Sequence, residues 1–169
     1  FGEYTGVGAY CFTDNITIAN TKIHHVPTGL YPISNSHNRW TIRNVEVYSG
    51  EDVNNIYGVT KSDRHALGGQ NMRNSLIEYN YIHDWAGDGF LIYAGGYAKM
   101  NNVTIRYNRI INLNDAANEY YHVGIWKHGT NVAAFENNTK DWRIYNNIIM
   151  NLSRNEVLDS GSGSAISIK

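Results

Sequence analysis

Little in this chain can be cross-linked, kinked or threaded through a bilayer. Of 169 residues, one is cysteine (Cys11) and two are proline. A single cysteine excludes an intrachain disulfide framework, and Cys11 reads as a small buried hydrophobe rather than a reactive thiol. Scarce proline suits a backbone whose N–H groups must donate in rows, because proline interrupts a β ladder. Apolar runs last only a few residues, too short to span a membrane. Charge of either sign is also scarce in excess: 14 Lys and Arg stand against 15 Asp and Glu. No basic surface advertises nucleic acid, and no polybasic run advertises a lipid surface. Phenylalanine, at 4, is outnumbered by 13 tyrosines, with 4 tryptophans beside them. Rings with a polar handle suit surfaces that are half apolar and half wet, as sugar-binding clefts are and as the flanks of any β-solenoid are too.

What the chain does contain is a repeat. Five stretches follow the pattern Ile-x-x-polar-x-Ile/Val: Ile18 to Val26, Ile42 to Gly50, Ile77 to Trp85, Ile105 to Leu113 and Ile144 to Leu152. Their starts are 24, 35, 28 and 39 residues apart, so a short fixed unit recurs with spacers of varying length. That is how stacked coils look in sequence. Within a unit the alternation has period two, the mark of a strand: in Val103-Thr104-Ile105-Arg106 the Val and Ile face one way, the Thr and Arg the other. Tyr107-Asn108 breaks the alternation and Arg109-Ile110 resumes it, so the break is a corner. Asn suits a corner because its amide bonds local backbone and tolerates left-handed φ. Stacking aligns Asn80, Asn108 and Asn147, with Thr21 and Val45 at the same place in the first two units. Removing Asn108 from such a column is expected to cost about 1–3 kcal/mol.

A second strand is expected after each unit, opened by a small residue: Gly29-Leu30-Tyr31, Gly58-Val59-Thr60, Gly89-Phe90-Leu91-Ile92, Gly124-Ile125-Trp126 and Ala165-Ile166-Ser167-Ile168. A third short strand per coil is expected without a clear location. No Asn-Gly or Asp-Gly turn joins two alternating runs, which argues against an antiparallel sandwich. The reading is a single domain over 1–169, with an irregular lead-in over 1–14 and repeats starting near 15, 39, 74, 102 and 141.

The Ile-x-x-Asn-x-Ile repeat followed by Gly-x-apolar strands resembles the right-handed parallel β-helix repeat family, the pectate lyase-like superfamily. The resemblance implies an all-β, right-handed parallel β-helix of about five coils. It also implies a secreted protein acting on polysaccharide: a lyase or glycoside hydrolase, with epimerases and tailspikes in the same superfamily. Such proteins share a scaffold and differ in chemistry. The start at Phe1 and the strand-like end at Ser164 to Ile168 lead us to expect further coils outside this chain.

The same alignment serves as a contact map, since equivalent positions in stacked coils lie about 5 Å apart. Matching Gly89 to Gly124 brings Asp88 towards His122, with Lys61 and Lys127 at equivalent positions on either side of Ile92. His83 and Asp84 share the coil of Asp88. The catalytic candidates are therefore Asp88, His122, Lys127 and His83, with Trp126, Tyr120, Tyr121, Arg64 and Lys61 as substrate-binding candidates. A carboxylate near a cation and an imidazole suits proton abstraction at C5 of a uronic acid, or glycosidic acid–base work. With Asp88 as the one central carboxylate, the pattern leans towards lyase chemistry. Trp126 with Tyr120 or Tyr121 is expected to border a groove. Arg64 lies in the charged stretch Lys61-Ser62-Asp63-Arg64-His65, which reads slightly better as a mobile surface loop than as a lid whose Arg64 binds a carboxylate bidentately. The competing reading is that these outward columns are structural, as Arg43, Glu78 and Arg106 look to be, and that His24-His25 is a solvated turn. No zinc grouping and no acidic calcium cage is evident, so no cofactor is expected and Ca²⁺ has no clear site. The expected partner is a polysaccharide or oligosaccharide. The alternative is a non-enzymatic structural or glycan-binding β-helix: a tailspike, adhesin or surface-filament segment.

Overall fold

The computed structural model of the chain describes residues 7–9, 14–26, 28–30, 37–48, 65–70, 72–85, 88–94, 100–113, 124–129, 139–152 and 166–168. All regular structure among them is β. Strand β1 (Val7–Ala9) lies where an irregular lead-in is expected, and it pairs with the following layer. The first repeat supplies β2 (Thr17–His24) and β3 (Thr28–Leu30). The second supplies β4 (His37–Asn38), β5 (Thr41–Tyr48) and β6 (His65–Gln70). The third supplies β7 (Met72–Arg73), β8 (Ser75–Glu78), β9 (Tyr81–Trp85) and β10 (Asp88–Ala94). The fourth supplies β11 (Met100–Asn101), β12 (Val103–Arg106), β13 (Arg109–Leu113) and β14 (Ile125–Gly129). The fifth supplies β15 (Thr139–Lys140), β16 (Arg143–Tyr145), β17 (Ile148–Leu152) and β18 (Ile166–Ile168).

Every strand pairing among these elements is parallel. One sheet runs β1-β3-β6-β10-β14-β18, taking one strand from each successive repeat. A second is built from β2, β5, β8, β12 and β16 on one flank and β5, β9, β13 and β17 on the other. A third, short strand, described in the second to fifth repeats, forms the pairs β4-β7 and β11-β15.

Register confirms the alignment of the five units. Ile18, Ile42, Ile77, Ile105 and Ile144 are successive Cα partners. So are Ile23, Val47, Ile82, Ile110 and Ile149. Ile42, Ile77, Ile82, Ile105 and Ile110 are at most 2 % exposed, with Trp40, Trp85 and Phe90 fully buried among them. Ile18 and Ile144, from the first and fifth units, are only partly buried and pack against that cluster. Each interior isoleucine thus has apolar neighbours above and below, and deleting one leaves a cavity costing about 2–5 kcal/mol.

The corners have a shared backbone cause. Among the described residues, 14 non-glycine residues have positive φ. All sit at three repeat positions: Asn15, Arg39, Asn74, Asn102 and Asp141; Asn20, Asn44, Tyr79, Tyr107 and Asn146; His25, Asp84, Asn112 and Asn151. Left-handed backbone costs roughly 1–2 kcal/mol for an ordinary side chain and least for Asn and Asp, which fill most of these places. Side-chain amides then bond from layer to layer at the corners, as Asn102 Nδ2 to Asn74 Oδ1 at 2.9 Å and Asn151 Nδ2 to Asn112 Oδ1 at 3.1 Å.

The inner column Asn80–Asn108–Asn147 is continuous. Asn108 Oδ1 accepts from the Asn80 N–H at 3.0 Å and from Asn80 Nδ2 at 2.9 Å. Asn108 Nδ2 donates to the Ile77 carbonyl at 3.0 Å and to Asn147 Oδ1 at 3.0 Å. Where the second repeat has Val45 instead, its N–H still donates to Asn80 Oδ1 at 3.0 Å. The column therefore ends on backbone rather than on an unmade bond.

The second-strand layer needs one correction. Leu67 of β6, not residue 59, pairs with Leu30 on one side and Phe90 on the other. Gly69 rather than Lys61 is the partner of Ile92. The small residues that open this layer are there for close approach. A Cβ on Gly29 would lie 2.2 Å from the Ala66 carbonyl oxygen. One on Gly89 would lie 2.6 Å from the Gly124 oxygen and 3.0 Å from Ile110 Cγ2. Backbone cannot swing aside as a side-chain tip can, so Gly89→Ala is expected to destabilise by at least about 2 kcal/mol. Urea unfolding of the variant checks this, and a loss below a few tenths of a kcal/mol would mean that the two strands can part there without cost.

Candidate functional site

The outward positions of β2, β5, β9 and β13 carry the densest described set of ionisable side chains. Strand alternation sends Lys22, Glu46, Tyr81 and Arg109 to one outward column, and His24, Tyr48, His83 and Ile111 to the next. Parallel stacking then makes neighbours of residues far apart in sequence. Lys22 Nζ is 2.6 Å from Glu46 Oε2. Glu46 Oε1 is 3.3 Å from His83 Nε2, and His83 Nδ1 is 2.7 Å from Asp84 Oδ2. Asp84 Oδ1 accepts from Asn112 Nδ2 at 2.9 Å. Asp84 reaches back to its neighbour because it sits at a corner with φ of 48°.

The rings are held by stacking. Tyr48 lies between His24 and His83, with centroids at 5.1 and 5.2 Å and interplanar angles of 26° and 6°. Tyr81 stacks on His83 at 4.2 Å, and the Arg109 guanidinium covers Tyr81 at 5.2 Å. His24 and His25 share a 2.7 Å Nδ1–Nδ1 hydrogen bond and are both exposed, in keeping with the solvated turn expected. A recess of about 280 Å³ opens beside the array, with Lys22 and His24 on its wall together with Ile18, Ile23 and Leu30.

Electrostatics follow from these contacts. The Lys22 hydrogen bond, then that of His83, holds the Glu46 carboxyl below its ordinary range. His83, then Asn112, does the same for Asp84. The Glu46 hydrogen bond raises Lys22. Both carboxylates therefore stay ionised through neutral pH and Lys22 stays charged. Because Glu46 and Asp84 ionise more readily folded than unfolded, their stabilisation is present above the ordinary carboxylate range. It is lost as pH falls through their lowered folded values. These are surface groups and the contribution is screened, so thermal melts should show a modest Tm loss on acidification, reduced in high salt.

His83 has its ring fixed from both ends. Each ring nitrogen faces an ionised carboxylate, so the neutral ring donates to one of them and the imidazolium donates to both. Displacing Glu46 from Nε2 leaves a base oriented by Asp84 on its far nitrogen, the arrangement that serves proton transfer. Neither carboxylate is arranged as a proton-holding acid.

Of the residues expected from sequence, His83 and Asp84 belong to this array. Asp88 lies in β10 opposite His65. Trp126 and Lys127 lie in β14 opposite Leu91 and Ile92. Their side chains are outside the described residues. Lys127 is thus four residues further along the strands than Asp88, about 13 Å away by strand rise. His122, Tyr120, Tyr121, Lys61 and Arg64 lie outside the described residues. Glu46, Lys22, Tyr48 and Tyr81 are additions to the sequence-based site. Among the described residues, no group of three or more His, Cys, Asp or Glu is arranged to hold a metal ion, and no helix is long and apolar enough to cross a membrane. No protein family, curated protein or solved structure matches the chain.

Proposed function

We propose that the chain forms a right-handed parallel β-helix, secreted, that acts on a uronate-containing polysaccharide by β-elimination. The fold reading is supported by parallel sheets that take one strand per repeat and by corner residues that recur at fixed positions. The chemical reading rests on one observation: His83 is held between Asp84 and Glu46 on an outward strand face, with Lys22 on the far side of Glu46. In this reading the uronate displaces Glu46 from His83 Nε2, which then removes the C5 proton; the C4=C5 double bond forms, and the C4–O glycosidic bond breaks. The Tyr81 hydroxyl protonates the departing oxygen, and Lys22 faces the uronate carboxylate as negative charge develops on it. A hydrolase would need one carboxyl held protonated near neutrality, and the two carboxyls of this array, Glu46 and Asp84, are shifted the other way. The test is incubation of the full chain with polygalacturonate, alginate and glucuronan, reading the ultraviolet absorbance of unsaturated uronate. Reducing ends without that absorbance would indicate a glycoside hydrolase.

A second reading, a non-enzymatic glycan-binding or structural β-helix, is favoured by the way Lys22, Glu46, His83, Asp84 and Asn112 bond to one another. Under it, none of the polymers would be cleaved, and the loss of stability in His83→Ala would be the chief consequence of the substitution.

A further inference from the structure

A different face carries a second array, one that the site around His83 does not use. On β5, β8, β12 and β16, Arg43, Glu78, Arg106 and Tyr145 are successive register partners. Arg106 is committed to Glu78, with Nη2 to Oε2 at 2.7 Å, and Nη1 donates to the Tyr145 hydroxyl at 3.0 Å. Arg43 and Arg143 on the same face are exposed and have no acidic partner among the described residues. Beside them, at the corner, Tyr79 and Tyr107 are 53 % and 41 % exposed, and Tyr145 is 38 % exposed.

Two features of the tyrosines are unlike ordinary surface residues. Tyr79 and Tyr107 both have φ of 55°, at a repeat position where Asn20, Asn44 and Asn146 stand in the other layers. Asn meets that backbone requirement with less strain, so packing at the corner does not call for an aromatic ring. The two rings also stack at 5.1 Å and 8°, face against face; Tyr145 lies 6.1 Å from Tyr107, turned by 76°, with its hydroxyl accepting from Arg106. The row therefore presents exposed tyrosines on successive layers, about 4.8 Å apart, close to the length of one pyranose unit in an extended chain. Guanidinium groups run beside it in cationic excess.

We infer that this face is a docking surface for an anionic polysaccharide lying along the stack, distinct from the His83 face. Uronate carboxylates meet Arg43 and Arg143, and ring hydroxyls meet the phenols of Tyr79, Tyr107 and Tyr145. Guanidinium suits carboxylate through paired N–H donors, and the phenols both donate and accept. The inference rests on the proposed acidic-glycan ligand but not on its cleavage.

The experiment is affinity electrophoresis of the full chain in gels containing polygalacturonate, alginate or dextran, with folding checked by thermal melt. Retardation is expected in the two polyuronates, weakening with added salt, and absent in dextran. The double variant Arg43→Ala/Arg143→Ala should lose about tenfold in affinity, as should Tyr107→Ala, each step of that size being about 1.4 kcal/mol. Equal binding by the double variant would overturn the inference by moving the ligand elsewhere. Retardation by single-stranded DNA in preference to polyuronate would overturn it as well. Intact binding with no unsaturated product would sustain the docking surface while refuting the lyase reading.

Discussion

Asn108→Ala is expected to lower stability by about 3 kcal/mol, the largest effect of any single polar truncation described in this chain. Asn108 is 1 % exposed, and its amide makes bonds in both stacking directions. Alanine would remove them all and leave the Asn80 N–H and the Ile77 carbonyl without their partner. Each buried group so abandoned costs about 1–3 kcal/mol. The sequence-based figure of about 1–3 kcal/mol treated the loss as one group, and the observed geometry has at least two. At a Tm change of about 2–4 °C per kcal/mol for a domain of this size, the melt should fall by roughly 6–12 °C. Asn147→Ala should cost less, because Asn147 is only partly buried. A loss under about 0.5 kcal/mol for Asn108→Ala would mean that water replaces the amide, and that the column orders the corner without stabilising it.

The inner half of this fold was legible because two independent signals coincide there. Period two placed Ile18, Ile42, Ile77, Ile105 and Ile144 on one face, and the Asn corner fixed where the alternation breaks. A slip by one residue would turn every isoleucine outward, so the register had only one acceptable solution. The second layer carried a weaker signal. A small residue followed by an apolar one occurs at Gly58-Val59 and again at Ala66-Leu67, and the pattern alone does not choose between them. Register chooses the latter, since Leu67 pairs with both Leu30 and Phe90. Spacer length costs little free energy, so sequence spacing gives poor guidance to which copy joins the sheet.

The outward columns were legible in principle from the same alignment. Counting four residues on from each leading isoleucine gives Lys22, Glu46, Tyr81 and Arg109, and the next outward place gives His24, Tyr48 and His83. What the alignment lacked was a reason to prefer one outward column over another, because polar residues on a solvated face carry no packing constraint. The left-handed corners at Asn102 and Asn112 were hidden for a related reason. Asn is abundant throughout the chain, so its recurrence at a given position stands out only against the observed φ values.

If the proposed elimination is correct, His83→Ala should reduce turnover of polyuronate by about 10²–10⁴-fold, the usual contribution of a positioned base. Binding to the Tyr107 face should persist, which separates lost chemistry from lost substrate. Asp84→Asn should lower turnover by less. It keeps the shape beside Nδ1 but can present an amide N–H where a carboxylate fixed the tautomer, so a fraction of His83 would turn Nε2 into a donor. Glu46→Gln provides the opposing control. It removes the charge that neutralises Lys22, freeing the ammonium to meet a uronate carboxylate, and so should alter KM more than kcat. Each variant needs a thermal melt, since the Tyr48–His83–Tyr81 stack also supports the sheet. His83→Phe keeps much of that stacking area and should retain the fold more fully than alanine while remaining inactive. Turnover by His83→Phe at the parent rate would remove His83 from the chemistry. It would direct attention to the sheet that carries Asp88 and Lys127.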